Sequence, residues 1–172
     1  MDKRWIGILI ILIVGCICMY HIVDTSTTVG NSITVVNKTV VALPNELSID
    51  DSGSNSAKLV NKDTREKVYI EDMGKADIAS DSFNKKLKEV EHDSNIQINN
   101  NSTVKIKNVT VYRVDCENFT TENATNISIC YAYTCYHTFL IQFKNYSDNI
   151  RLDKNLDYII TNMKPDFKQS QD

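Results

Sequence analysis

The hydrophobic period of this chain switches between two and about 3.6 residues, and those switches limit the folds open to it more than any other feature. Phe139, Ile141 and Phe143 alternate with other residues, as a strand with one face on a core requires. Val68 and Ile70 do the same within Lys67 to Met73. Between Asp77 and Glu91 the period lengthens: Ala79, Phe83, Leu87 and Val90 recur at helical spacing and share one face. Asp77 suits the N-cap of that helix and Asp81 its positive end. Leu152, Leu156, Ile159, Ile160 and Met163 repeat the helical pattern from an Asp153 cap to Lys164, where Pro165 stops it.

Strands fill the remainder. Short β-branched runs begin at Ile33 and close at Pro44, which cannot donate to a sheet ladder. Asp50 to Ser56 reads as a flexible turn, and His92 to Thr103 as a long polar connection able to conceal a short strand. Three further strands follow, from Thr103 to Cys116, Asn126 to Tyr133 and Thr138 to Asn145, as an antiparallel meander. Helices this short are marginal alone and must lay their apolar stripes on a partner. The sheet is the only sizeable one, so the expected fold class is α+β: a mainly antiparallel sheet carrying two packed helices.

Ahead of this domain, Trp5 to Val23 contains no charged residue. At about 1.5 Å per residue the segment reaches roughly 28 Å, close to the ~30 Å of a hydrocarbon core, and reads as an N-terminal transmembrane helix. Lys3 and Arg4 precede it and Asp24 follows, which places the N-terminus in the cytosol and the rest outside. A cleaved signal needs a shorter apolar region. Ile13 to Cys16 resembles a lipid-attachment site, but the run stays apolar beyond Cys16 where lipoproteins turn polar. The expected organisation is a cytoplasmic 1–4, a signal anchor over 5–23 in the lipid bilayer, a polar stalk over 24–32, an extracytoplasmic domain over 33–165 and a loose tail over 166–172.

Asn-x-Ser/Thr occurs at Asn37, Asn100, Asn101, Asn108, Asn118, Asn123, Asn126 and Asn145, all on the side predicted to be external. Composition alone predicts about three, so these eight are candidate glycosylation sites. The formal net charge of −3, without a basic run, argues against a nucleic-acid partner.

Cys116, Cys130 and Cys135 are the external thiols and the disulfide candidates. A turn about Asn123 would set Cys116 against Cys130 across a ladder, closing a loop of about 15 residues for ~3 kcal/mol; the other pairings remain open. The alternative is a small metal- or thiol-dependent enzyme on Cys130, Cys135 and His137, with Cys116 completing a tetrahedral set. The spacing is not that of a zinc knuckle, so no metal, cofactor or catalytic residue is assigned. Asp50 and Asp51 lack the pattern of a calcium loop. His92 ends a charged helix and reads as solvated, and His21 as interfacial. Tyr131, Tyr133 and Tyr136 gather near a hairpin turn, as sheet packing or as an interaction surface.

The runs "ITVVNKTVVALPNELSI" and "AKLVNKDTREKVYI", the Phe83 helix, the hairpin "ISICYAYTCYHTFLIQF" and the closing "LDYIITNMKP" resemble small membrane-anchored extracytoplasmic proteins of methanogenic archaea, whose domain is similar to the PsbP-like fold. The resemblance covers Ile33 to Pro165 and is one of element order, not of a motif. The turn between Cys130 and His137 departs from it. It implies an accessory or interaction module without catalytic residues. The expected function is therefore a membrane-tethered extracytoplasmic binding module for an unknown protein or envelope partner, with a purely structural surface protein as a further alternative.

Overall fold

A computed structural model of the protein describes residues 33–120 and 124–166. The elements run β1 (Ile33–Val36), β2 (Thr39–Ala42), β3 (Ser48–Ser52), β4 (Ser56–Val60), β5 (Lys67–Asp72), α1 (Ala79–His92), β6 (Ile96–Ile106), β7 (Val109–Asn118), β8 (Thr125–Thr134), β9 (His137–Lys144), α2 (Asn149–Asn162) and β10 (Lys164–Pro165). They form a seven-stranded sheet in the order β3-β4-β5-β9-β8-β7-β6 and a three-stranded sheet, β1-β2-β10. Every pairing is antiparallel. The α+β class and the two helices stand as the sequence predicts. The apolar span over 5–23, the stalk over 24–32, Asn123 and tail residues 167–172 lie outside the described residues. Among the described residues no helix is long and apolar enough to cross a membrane.

The large sheet is covered on one face and, over β6–β8, on the other, while Lys58 and Lys67 at its β3–β5 end stay exposed. One face packs Phe139, Ile141, Phe143, Val68 and Ile70 against the small sheet and against Leu152, Leu156 and Ile159 of α2. The opposite face sets Val114, Ile129 and Tyr131 under Ala79, Phe83 and Val90 of α1. The two helices thus cover opposite faces. Phe83 anchors α1, its ring 5.8 Å from that of Tyr112 and 6.5 Å from that of Tyr131, which face each other across β7 and β8. A buried aromatic of this size contributes about 3 kcal/mol.

Several boundaries differ from expectation. Asp77 does not cap α1; the helix starts at Ala79 behind Ile78, with no side-chain cap. Instead Thr138 Oγ1 accepts from the Ile78 amide at 3.2 Å and donates to the Ala76 carbonyl at 2.6 Å, fastening the helix entry to β9. Asp148, not Asp153, caps α2, accepting from the amides of Ile150 and Arg151. The polar connection from His92 to Thr103 is largely strand. β6 is an edge strand on which only Ile106 is buried, and the alternation of Ile96 with Ile98 and of Val104 with Ile106 is interrupted by the polar stretch 99–103 and a bulge between Ile98 and Asn100. The run from Thr103 to Cys116 is the end of β6, a two-residue turn at Lys107 and Asn108, and β7. Lys107 adopts φ 52, a conformation its side chain does not advertise. Asp50 to Ser56 likewise holds the tips of β3 and β4, joined across Gly53–Asn55.

Candidate functional site

The candidate site lies where α2 crosses the β6–β8 end of the large sheet. Alternation along β7 sends Tyr112, Val114 and Cys116 towards α1 and Val111, Arg113 and Asp115 towards α2. Two charges therefore stand on a face otherwise built for a core. Arg113 is 8% exposed at its side chain. Its Nε donates to Asp115 Oδ1 at 2.6 Å, and its Nη1 donates to Asp153, which reaches down from α2. Asp115 also accepts from Ser128 Oγ at 2.5 Å and from Asn100 Nδ2 at 3.3 Å. Burial works against the Arg113 charge, but the bonds to Asp115 and Asp153 outweigh it and hold the guanidinium protonated.

Above this cluster opens a groove of about 710 Å³ bordered by Asn100, Ser102, Arg113, Asn126, Asp153 and Asp157. Arg113 Nη2 has no hydrogen-bond partner among the described residues, so its donors remain for a guest. Ile106 and Leu156 supply apolar wall. Concavity, apolar wall and a few fixed polar groups are what a binding site needs.

Cys130 lies directly across the ladder from Arg113 and is fully buried. Burial pushes its thiol up to about 12. Cys116 pairs with Ile127 in the register while Cys130 pairs with Arg113, so the two sulfurs sit on opposite faces of the sheet. That geometry overturns the Cys116 to Cys130 bridge, and all three cysteines are free thiols. Cys135 occupies the two-residue turn between β8 and β9, where it and Tyr136 have φ 52 and 66. Burial raises the Cys116 and Cys135 thiols as well. An activated nucleophile needs the reverse.

His137 is not directed at the thiols. It is buried at the start of β9, with Nδ1 2.9 Å from Asp72 Oδ1 and 2.7 Å from Oδ2. Asp72 has a side-chain exposure of 0% and also accepts from Asn37 Nδ2 at 2.9 Å and the Gly74 amide at 2.7 Å. This cluster fastens the β1–β2 turn and the β5 exit to the β8–β9 hairpin. Cys116, Cys130, Cys135 and His137 therefore form no common site, and among the described residues no group of three or more His, Cys, Asp or Glu is arranged for a metal. The tyrosines separate too: Tyr131 is buried beneath α1, whereas Tyr136 is 74% exposed at the hairpin tip. Asp51 forms an exposed ion pair with Lys58, at 3.1 Å. His92 is exposed at the end of α1.

Sequence reasoning passed over Arg113, Asp115 and Asp72. The available signal was a charge at core parity: Arg113 and Asp115 continue the alternation set by Val111, and Asp72 that set by Val68 and Ile70.

No protein-family model matches the chain, and no curated protein matches it. Solved structures do. A protein of Bacteroides thetaiotaomicron superposes with a TM-score of 0.56 at 17% identity over 78% of this chain, which spans about half of that protein (48%). The cyanobacterial PsbP (CyanoP) of Synechocystis gives 0.52 at 13% identity, over 80% of this chain and 95% of its own. LpqN of Mycobacterium tuberculosis, involved in cell envelope biogenesis, gives 0.51 at 10% identity, over 80% and 86%. At such identities the likeness speaks to fold alone, and the fold is PsbP-like.

Proposed function

We propose that this chain is a membrane-tethered, extracytoplasmic and glycosylated binding module, held by residues 5–23 with its N-terminus in the cytosol, that docks an envelope partner in the groove between α2 and β6–β8. The uncharged N-terminal run and the excess of sequons support the address. So does the resemblance to anchored archaeal proteins, with LpqN a structural neighbour tied to an envelope.

One observation carries the binding role: a guanidinium almost wholly withdrawn from water keeps donors open to a groove of about 710 Å³. Taking such a group from water costs several kcal/mol unless its donors are used, and a guest that accepts from Nη2 recovers part of that cost. Carboxylates at Asp115, Asp153 and Asp157 offset Arg113 and Lys105 along the lining, so the groove suits a polar guest with both donors and acceptors, not a strong anion. The role is non-enzymatic, in keeping with three thiols shifted away from reactivity.

Site-specific photo-crosslinking from Asn149, on the groove rim, tests the reading in intact cells. The expected result is an adduct with an extracytoplasmic component that disappears in Arg113→Gln. Adducts confined to cytosolic components, or unchanged by Arg113→Gln, would contradict it.

A further inference from the structure

The folded domain does not present its sequons alike. N-linked modification joins the Asn amide nitrogen to the anomeric carbon of a saccharide, and the Ser or Thr hydroxyl two residues on belongs to the recognised unit. Both atoms must be presentable, and the folded chain must then leave room for the sugar.

Asn37 fails on both counts. Its Nδ2 donates to Asp72, whose carboxylate is fully buried, and Thr39 is 1% exposed with its Oγ1 inside the protein. A sugar on Nδ2 would be forced against that carboxylate and would unfasten the β1–β2 turn. At Asn126 the Asn is exposed, but the hydroxyl of Ser128 is buried and committed to Asp115. Asn100 gives its own Nδ2 to Asp115.

The remaining described sequons are open. Asn101 and Thr103 are both exposed on the edge strand β6, and Asn145 and Ser147 are both exposed between β9 and α2. Asn108 is exposed in the β6–β7 turn, with Thr110 half-buried. At Asn118, which is half-buried, Oδ1 accepts from the Thr120 amide at 2.8 Å and hydroxyl at 2.5 Å, so that among the described residues Nδ2 has no partner and the exposed Thr120 is held beside it.

We infer that Asn101, Asn108, Asn118 and Asn145 carry N-linked saccharide, and that Asn37, Asn100 and Asn126 stay bare as parts of the fold and of the groove. The donor class is a lipid-linked saccharide phosphate. The Asn Nδ2–C1 bond forms as the C1–O bond to phosphate breaks, the lipid phosphate leaves with the electron pair, and the amide loses one proton to the transferase or water. The inference rests on the extracytoplasmic address proposed above. Its consequence is that sugar flanks the groove without filling it, because the two sequon asparagines that line the groove, Asn100 and Asn126, are the spared ones, whereas Asn101 and Asn145 are not among its lining residues.

The test is glycopeptide mass mapping of the full chain purified from its native membrane, combined with protease shaving of intact cells. Saccharide mass is expected on Asn101, Asn108, Asn118 and Asn145, with occupancy below about a tenth at Asn37, Asn100 and Asn126. Replacing the four open asparagines with Gln should remove the mass at those positions, while Thr39→Val changes none of it. Occupancy at Asn37 or Asn126 equal to that at Asn145 overturns the inference. A chain that is shaved from intact cells yet bare at every sequon overturns it and leaves the address standing. A bare chain that resists shaving until lysis overturns both.

Discussion

Two buried charge clusters sit on the same face of the large sheet and are built to different ends. At Asp72 every carboxylate contact is internal: His137, Asn37 and the Gly74 amide enclose it, and nothing opens to solvent. At Arg113 the same ingredients, a charge at core parity with hydrogen-bonding neighbours, are left incomplete on the side that borders the groove. A satisfied buried network fixes the fold, whereas one with spare donors facing a cavity is equipped to take a guest. The difference separates a structural polar cluster from a binding one, although residue types alone would rank the Asp–His pair as the more chemical of the two.

The largest effect should come from the closed cluster. Asp72→Ala strands His137, Asn37 and the Gly74 amide together and is expected to cost about 3–5 kcal/mol, read as a lowered urea midpoint with unchanged slope. Arg113→Gln should cost less, about 1–3 kcal/mol, because Asp115 keeps Ser128 and Asn100, and it should abolish crosslinking from the groove rim. Cys130 reports on the floor beneath Arg113. Its neutral thiol favours the folded state, so this contribution is whole below the ordinary value of 9.0 and is lost as pH climbs towards about 12. Above that value this thiol should lower the unfolding free energy by about 1 kcal/mol per pH unit, a share of the slope that Cys130→Ala removes while Cys116 and Cys135 keep theirs. The smallest effect belongs to Asp153→Ala. Asp153 is 62% exposed, and its loss should cost less than about 1 kcal/mol in thermal melts.

How far the sequence foretold these regions follows from what each face touches. α1 was legible because its stripe of Ala79, Phe83, Leu87 and Val90 packs on one apolar surface. β9 was legible because Phe139, Ile141 and Phe143 meet a core while Gln142 does not. β6 was not, since its two short alternating pairs, Ile96 with Ile98 and Val104 with Ile106, are separated by five polar residues and a bulge that breaks the period. The helix starts moved because Thr138, remote in sequence, does the work assigned to Asp77, and because Asp153 is spent on Arg113. The pairing of Cys116 with Cys130 failed through register: the β7–β8 ladder sets Cys116 opposite Ile127, and a pairing shifted by an odd number of residues changes faces. The groove was hidden because its parts come from β6, β7, β8 and α2, and only their charges at core parity gave a local hint.

The division of labour between the clusters can be measured in one comparison, the native-gel mobility of full-length chain solubilised gently from its own membrane. Arg113→Gln is predicted to stay folded yet run as the free protomer, while Asp72→Asn loses stability but keeps the wild-type assembly in whatever fraction remains folded. An Arg113→Gln chain that retains the assembly, or an Asp72→Asn chain that alone loses it, would contradict the assignment of the groove as the binding surface.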